Sequence, residues 1–155
     1  MKIGIVYGSV FGNTAEIARA IKAALEGAHE VRLLPVEQAG GDDASSFDLL
    51  IVGSPTRGFR PTPDIAEFVA GLRPAAGSRA AAFDTRMHPD DIHPAPLRWM
   101  MDAGGYAAER IAATLRERGY DISGAPAGFF VGGAEGPLKP GERERAQEWA
   151  RSLAT

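Results

Sequence analysis

Five stretches of the chain have the hydrophobic pattern of β-strands. They are short apolar or alternating runs at 3–7, 30–36, 47–53, 78–83 and 128–132. The run FDLLIVG at 47–53 is almost continuously apolar, which is typical of a central parallel strand that is buried on both faces. The run SRAAAF at 78–83 is weaker because alanine is a poor strand former. The pattern therefore predicts a sheet of five strands.

Helically spaced apolar residues occupy the intervals between these runs. The clearest stripe follows positions i, i+3, i+4 and i+7 from Ile65 to Leu72. Thr62 precedes this stripe as a candidate N-cap, and Pro63 suits the first helical position. Three further helices are predicted by the stripes Ile17, Ala18 and Ile21; Ala108, Ile111, Ala112 and Leu115; and Ala146, Trp149, Ala150 and Leu153.

This alternation of strands and helices predicts a single α/β domain over residues 1–155. Its expected architecture is a doubly wound, five-stranded parallel sheet with helices on both faces. Such sheets bind ligands beyond the carboxyl ends of their strands, where the strand order reverses. Three loops at that edge, at 8–14, 54–61 and 84–102, are rich in glycine, hydroxyl, aromatic or arginine residues. We expect the functional site to lie among these loops.

Composition narrows the possible functions. The chain has no cysteine, which excludes disulfides, thiol catalysis and cysteine-ligated metals, and makes the reducing cytoplasm the expected location. A net charge of -3 argues against non-specific binding of nucleic acid. The longest apolar runs are too short to span a membrane. The hydrophobic content of 45% and the charged content of 24% are typical of soluble globular proteins.

The first loop has the features of a phosphate site. Small residues separate the first strand from the first helix, and Asn13 precedes Glu16 by three positions, which is the spacing of a capping box. A helix N-terminus offers unpaired N–H groups and the positive end of the helix dipole. Ser9, Asn13 and Thr14 add polar side chains. We therefore expect the anionic group of a ligand at this loop.

These residues resemble the flavodoxin family, and the resemblance covers essentially the whole chain. The sequence YGSVFGNT at 7–14 is similar to the family's phosphate loop, Ser/Thr-x-Thr-Gly-Asn-Thr, although Phe11 stands where a hydroxyl residue is common. The sequence GSPTRG at 53–58 looks like the family's loop against one face of the flavin. The third loop departs from the family because FDTRM at 83–87 lacks the usual stacking tyrosine, and the next tyrosine is Tyr106.

The resemblance implies a sheet order of 2-1-3-4-5, non-covalently bound FMN, and electron transfer between redox partner proteins. It implies that the first loop holds the phosphate, that the second lines one ring face with a mobile Gly58 peptide, and that the third meets the ring edge. No catalytic side chain is predicted. The cofactor-binding residues predicted in this way are Ser9, Val10, Phe11, Gly12, Asn13, Thr14, Pro55, Thr56, Arg57, Gly58, Phe59, Asp84, Thr85, Arg86 and Met87.

Arginines near the second and third loops suggest an electrostatic prediction. Arg57, Arg60 and Arg86, with Arg98 further along, accompany the predicted flavin loops. The sequence leaves the local charge balance open, because four carboxylates oppose them: Asp64, Asp84, Asp90 and Asp91. A cation that faced the ring would stabilise the reduced, anionic cofactor by roughly 1 kcal/mol. If these arginines face the ring, we expect the second one-electron reduction potential to be less negative than in a flavodoxin with an acidic site.

Two alternative functions remain open from the sequence. The long segment at 84–102 could admit a quinone-like substrate, which would make the protein a flavin-dependent oxidoreductase. Alternatively, the domain could have lost FMN and act as an interaction module, because Phe11 and the absent tyrosine alter the family pattern. His88, Asp90, Asp91 and His93 do not have the spacing of a helical metal-binding pair, so no metal site is predicted.

Overall fold

The structure, a computed structural model, contains one parallel sheet with helices on both faces. It describes residues 1–40, 44–57, 59–88, 91, 96 and 105–155. Within that part of the chain, no helix is long and apolar enough to cross a membrane. The strands are β1 (Lys2–Tyr7), β2 (Glu30–Pro35), β3 (Leu49–Pro55), β4 (Arg79–Met87), β5 (Asp121–Ile122) and β6 (Ala127–Val131).

The helices follow the predicted apolar stripes. The described residues form α1 (Asn13–Leu25), α2 (Pro63–Ala70), α3 (Ala107–Arg118) and α4 (Glu142–Leu153), with a short 3₁₀ turn at Val36–Gln38. Thr62 is the N-cap of α2 and Pro63 its first residue, as predicted, but the Thr62 hydroxyl does not cap the helix. Gly119, with φ 109°, ends α3 in the left-handed conformation that favours glycine.

The sheet has the predicted order, β2-β1-β3-β4-β5, and all its strands are parallel. The fifth position is divided between two strands. β5 pairs with the start of β4, at Arg79 and Ala80, whereas β6 pairs with the end of β4, from Phe83 to Met87. The prediction of a strand at 128–132 is confirmed within one residue by β6. The two-residue β5 was missed because it is too short to show an alternating pattern.

The central strand β3 is buried on both faces, as its continuous apolar run predicted. Leu50 and Val52 pack in the core layer beside α2 and α3. Leu49 and Ile51 pack in the opposite layer beside α1 and α4. Alternate side chains of a strand point to opposite faces, so an apolar strand contributes to both cores at once. The two layers fix α1 and α3 against the sheet, and the N-termini of these helices point to the edge that carries the three predicted loops.

A buried tyrosine at the opposite edge gives a prediction about stability. Tyr120 is 3% exposed, and its hydroxyl has no hydrogen-bond partner among the described residues. Burial raises the pKa of Tyr120. An unsatisfied buried hydroxyl costs about 1–3 kcal/mol. We therefore expect Tyr120→Phe to increase the free energy of unfolding by about 0.5–2 kcal/mol in urea denaturation.

The same substitution should alter the alkaline stability profile. Because the folded-state pKa lies above the unfolded value of about 10, the unfolded wild type ionises first and stability falls as the pH rises past that value. The advantage of Tyr120→Phe should therefore grow above pH ~10. A variant that was less stable than wild type at pH 7 would show that the hydroxyl has a partner.

Candidate functional site

A cavity of about 420 Å³ lies at the carboxyl ends of β1, β3, β4 and β6. All three predicted loops contribute to it. The residues that line the cavity are Val10, Phe11, Asn13, Thr14, Pro55, Thr56, Arg57, Thr85, Arg86, Met87, Val131, Ala134 and Glu135. The cavity is therefore a site that the fold and the sequence both indicate.

The first loop ends in a left-handed glycine at the N-terminus of α1. Gly12 is the N-cap, with φ 89°, a conformation that is costly for residues with a side chain. The backbone N–H of Gly12 donates to Ser9 Oγ at 3.1 Å, and the N–H of Glu16 donates to the Gly12 carbonyl at 3.0 Å. The first N–H groups of a helix have no acceptor within it. Asn13 and Thr14 of this first turn line the cavity, whereas the predicted Ser9 and Gly12 do not.

The predicted capping box at Asn13 is wrong. Asn13 is the first residue of α1 and not its N-cap, and no side chain caps the helix. Its Nδ2 atom instead donates to the backbone carbonyl of Glu135 at 3.0 Å. The local spacing was correct for a cap, but a contact with a distant turn determines where this amide points.

Thr14, in the first turn of α1, connects this helix to the end of β4. It is 1% exposed, and its Oγ1 lies 2.8 Å from Oγ1 of Thr85, which is also buried. Both residues line the cavity. This contact holds the start of α1 against β4, so the loop has a fixed position relative to the sheet.

The second loop is a tight turn closed by two backbone hydrogen bonds. The N–H of Arg57 donates to the carbonyl of Arg60 at 2.8 Å, and the reverse bond measures 3.1 Å. Phe59 within the turn has a positive φ of 70° and does not line the cavity. The predicted Gly58 lies outside the described residues. Pro55, Thr56 and Arg57 form the part of this loop that faces the cavity.

The predicted start of the third loop at Asp84 is wrong, because β4 continues to Met87, and this end of the strand contains a buried ion pair beneath the cavity. Asp84 is fully buried, and its two carboxylate oxygens accept hydrogen bonds from Nε and Nη2 of Arg86, each at 2.7 Å. The N–H of Ala108, at the start of α3, donates to Asp84 Oδ2 at 2.9 Å. Burial raises the pKa of Asp84, while the Arg86 guanidinium and the Ala108 N–H oppose that rise. Asp84 was predicted to meet the ring edge, but it does not line the cavity and holds Arg86 in place.

Arg86 is also fixed by an aromatic ring. Its Cζ lies 3.8 Å from the ring centroid of Tyr106, which is 8% exposed. Its Nη2 lies 3.5 Å from Oε2 of Glu109, whose side chain is 52% exposed. The tyrosine that the third loop lacks is therefore present nearby, where it supports an arginine on the cavity wall. A guanidinium stacked on a ring in this way makes a cation–π contact.

These pairings change the expected charge of the site. Two carboxylates, Asp84 and Glu109, oppose the charge of Arg86. Arg57 lines the cavity with its Cζ 5.8 Å from the Phe11 ring centroid, and the acidic Glu135 lines it too. Arg60 does not line the cavity, and Arg98 lies outside the described residues. The described part of the site is nearly balanced in charge, so the predicted shift in potential now depends on Arg57.

The cavity has a fourth wall that was not predicted from the sequence. Val131, Ala134 and Glu135 belong to the end of β6 and the turn after it. The glycines at 132 and 133 and Pro137 marked a turn at the carboxyl end of the fifth predicted strand. Ligands of such sheets bind at the carboxyl edge, so this turn could have been predicted to line the site together with the three loops.

The metal-binding alternative gains no support from the described residues. No group of three or more histidine, aspartate or glutamate residues is close enough to hold an ion in that part of the chain. Asp90 and His93 lie outside the described residues. His88 packs edge-on against the Phe130 ring, with centroids 4.7 Å apart.

The fold and the cavity define a doubly wound α/β protein with a ligand site at the switch point of its sheet. A sequence model described as "Flavodoxin domain" matches residues 4–91, which is more than half of the chain. The chain belongs to the flavodoxin family, whose cofactor is FMN.

Individual relatives agree with this assignment. A flavodoxin of Picosynechococcus sp. is 44% identical over 55 residues, which cover 36% of this chain and 32% of that protein. The match thus spans about a third of the relative's length. Oxidised Flavodoxin 1 from Bacillus cereus superimposes with a TM-score of 0.77 and 17% identity, covering 99% of this chain and 97% of that one. The rubredoxin:oxygen oxidoreductase of Desulfovibrio gigas has a similar domain, with a TM-score of 0.75, 20% identity, and coverage of 99% and 35%.

Proposed function

We propose that the cavity binds FMN non-covalently and that the protein is an electron carrier. The observation that carries this proposal is the convergence of three loops, each predicted to contact a flavin, on one cavity beside the N-terminus of α1. Its volume of about 420 Å³ lies within the range of cofactor sites. Bound FMN would supply the redox chemistry, and the protein would supply position and electrostatics.

The residues present are suited to the two ends of this cofactor. A phosphate could accept hydrogen bonds from the first-turn N–H groups of α1 and from the Ser9 hydroxyl. The Oγ atom of Ser9 already accepts a hydrogen bond from the Gly12 N–H. Thr14 and Thr85 are bonded to each other and supply hydroxyl groups on the cavity wall. Val10, Phe11, Met87 and Val131 offer the apolar surface that a flat ring requires.

The surroundings of the cavity favour a carrier over an enzyme with its own catalytic residues. Val10 and Phe11 are 50% and 49% exposed at its rim, so a partner protein could approach the cavity there. Among the described lining residues, each of the polar groups is suited to binding and none forms a nucleophile–base pair. We propose redox proteins of the cytoplasm as partners.

The direct experiment is reconstitution of the purified protein with FMN. Titration should quench flavin fluorescence with a 1:1 end point, and the complex should stay yellow through gel filtration. A colourless protein that does not take up FMN would contradict the proposal and favour an interaction module. Rapid oxidation of NADH with added quinone would instead favour a flavin-dependent oxidoreductase.

The charge balance around Arg86 gives a prediction for the bound cofactor. Glu109 lies 3.5 Å from Arg86, and Glu109→Gln would remove one negative charge from the cluster. Because the second electron gives the anionic hydroquinone, whereas the first is taken up with a proton, we expect mainly the second one-electron potential to become less negative, as measured by redox titration. Glu117→Gln, an exposed site near the other end of α3, is the matched control and should leave the potentials unchanged. Equal shifts in both variants would contradict a local effect of Glu109.

A further inference from the structure

The Asn13 side chain contacts a turn that lies far away in the sequence. Its Nδ2 atom donates to the carbonyl of Glu135, 122 residues distant, at 3.0 Å. The amide also packs directly on Gly136, where an added Cβ would lie 2.5 Å from Oδ1 and 2.6 Å from Nδ2. Gly136 has φ 101°, which favours glycine for a second reason. The turn is therefore shaped to receive this amide.

The turn at 132–137 is closed by its own hydrogen bonds. The N–H of Gly132 donates to the Pro137 carbonyl at 2.8 Å, and the N–H of Gly136 donates to the Gly133 carbonyl at 3.1 Å. An antiparallel bridge between Val131 and Leu138 closes its base. The hydrogen bond from the Asn13 amide therefore connects this turn to the first turn of α1.

The tied turn is the fourth wall of the cavity. Ala134 and Glu135 line the cavity from the turn, and Val131 lines it from the strand that leads into the turn. A turn stabilised only at its base could move away from the first loop. The hydrogen bond from Asn13 joins the two walls, so it fixes the width of the cavity between them.

We propose that the side chain of Asn13 is a positioning group that fastens the 132–137 turn against the first loop and does not itself bind the phosphate. This inference rests on the proposed binding of FMN. A phosphate ligand would favour FMN alone, because riboflavin lacks the phosphate. A residue that positions a wall of the cavity supports the binding of both flavins.

The test is to measure the affinities of Asn13→Ala for FMN and riboflavin by fluorescence quenching at 25 °C. We expect both dissociation constants to rise by the same factor, about three- to tenfold, which is the effect of losing one neutral hydrogen bond. If the affinity for FMN falls more than threefold further than the affinity for riboflavin, Asn13 binds the phosphate and the inference is overturned. Unchanged affinity for both flavins would overturn it as well.

A second variant breaks the same contact from the other side. Gly136→Ala places a methyl group against the Asn13 amide and should also weaken the binding of both flavins by the same factor. The double variant should bind no more weakly than Gly136→Ala alone, because the contact can be lost only once. Gly141→Ala is the matched control, since φ 84° strains alanine there as φ 101° does at Gly136, but its added Cβ has no atom within 4 Å. Additive losses in the double variant would contradict the shared contact.

Hydrogen exchange separates this role from a general loss of stability. In Asn13→Ala, the N–H of Gly136 should exchange faster, while the amides of β1 and β3 keep their wild-type rates. A uniform acceleration would indicate destabilisation of the whole fold and would overturn the inference. If the wild type itself binds no FMN, the proposed function fails; if the wild type binds FMN and only the variant pattern differs, this inference fails alone.

Discussion

Replacing Ser9 with aspartate should lower the affinity for FMN by about 100-fold or more while leaving the affinity for riboflavin within about threefold of wild type. Ser9 is exposed, and its Oγ atom accepts a hydrogen bond from the backbone N–H of Gly12, three residues later. A carboxylate there would repel the phosphate. At a separation of about 4 Å, each pair of unit charges near a protein surface interacts by about 4 kcal/mol, of which part is lost to solvent. Fluorescence titration with both flavins measures the effect.

Ser9→Asn is the matched control for this substitution. Asparagine has nearly the same shape as aspartate but no charge, so it should change the FMN affinity by much less. If the aspartate and asparagine variants weaken FMN equally, shape and not charge would explain the loss. If aspartate weakens both flavins equally, the phosphate does not lie at this loop.

Removing the carboxylate of Asp84 should cause the largest loss of stability. Asp84 is fully buried and accepts two hydrogen bonds from Arg86, whose side chain is only 13% exposed. Asp84→Ala would leave this guanidinium buried without its closest partner. Breaking one side of a buried pair costs about 3–5 kcal/mol, and we expect a decrease of that size in urea denaturation.

The double variant Asp84→Ala with Arg86→Met tests the cause of that loss. Methionine removes the buried charge that the single variant leaves unpaired, so the double variant should be more stable than Asp84→Ala alone. Replacement of a buried pair by apolar residues is often neutral. If the two substitutions are additive in their cost, the ion pair does not account for the stability of this region.

Much of the fold could be predicted from the sequence, because the spacing of apolar residues differs between helices and strands. The continuous run in β3 required burial on both faces, and the stripe from Ile65 to Leu72 required a helix against the sheet. Because the carboxyl ends of parallel strands lie at one edge of the sheet, the three loops could be predicted to lie together without knowledge of any contact. The two-residue β5 could not be predicted, because two residues carry no period.

The site was harder to predict where a long-range contact determines the conformation of a side chain. Asn13 has the sequence spacing of a helix cap, but the left-handed Gly12 is the N-cap, and the Asn13 Nδ2 atom donates to the distant Glu135 carbonyl, which local spacing cannot identify. The Asp84–Arg86 pair was accessible in principle, because residues two apart in a strand share a face. The sequence placed arginines and aspartates near the same loops and left their balance open, because it does not show which of them pair.

A crystal structure of the protein grown with FMN would test the proposed binding site directly. We expect the phosphate to lie against the backbone of residues 9–14 at the start of α1 and the ring to occupy the cavity between Thr56 and Met87. A phosphate bound elsewhere, or a cavity without flavin at saturating FMN, would contradict the proposed site.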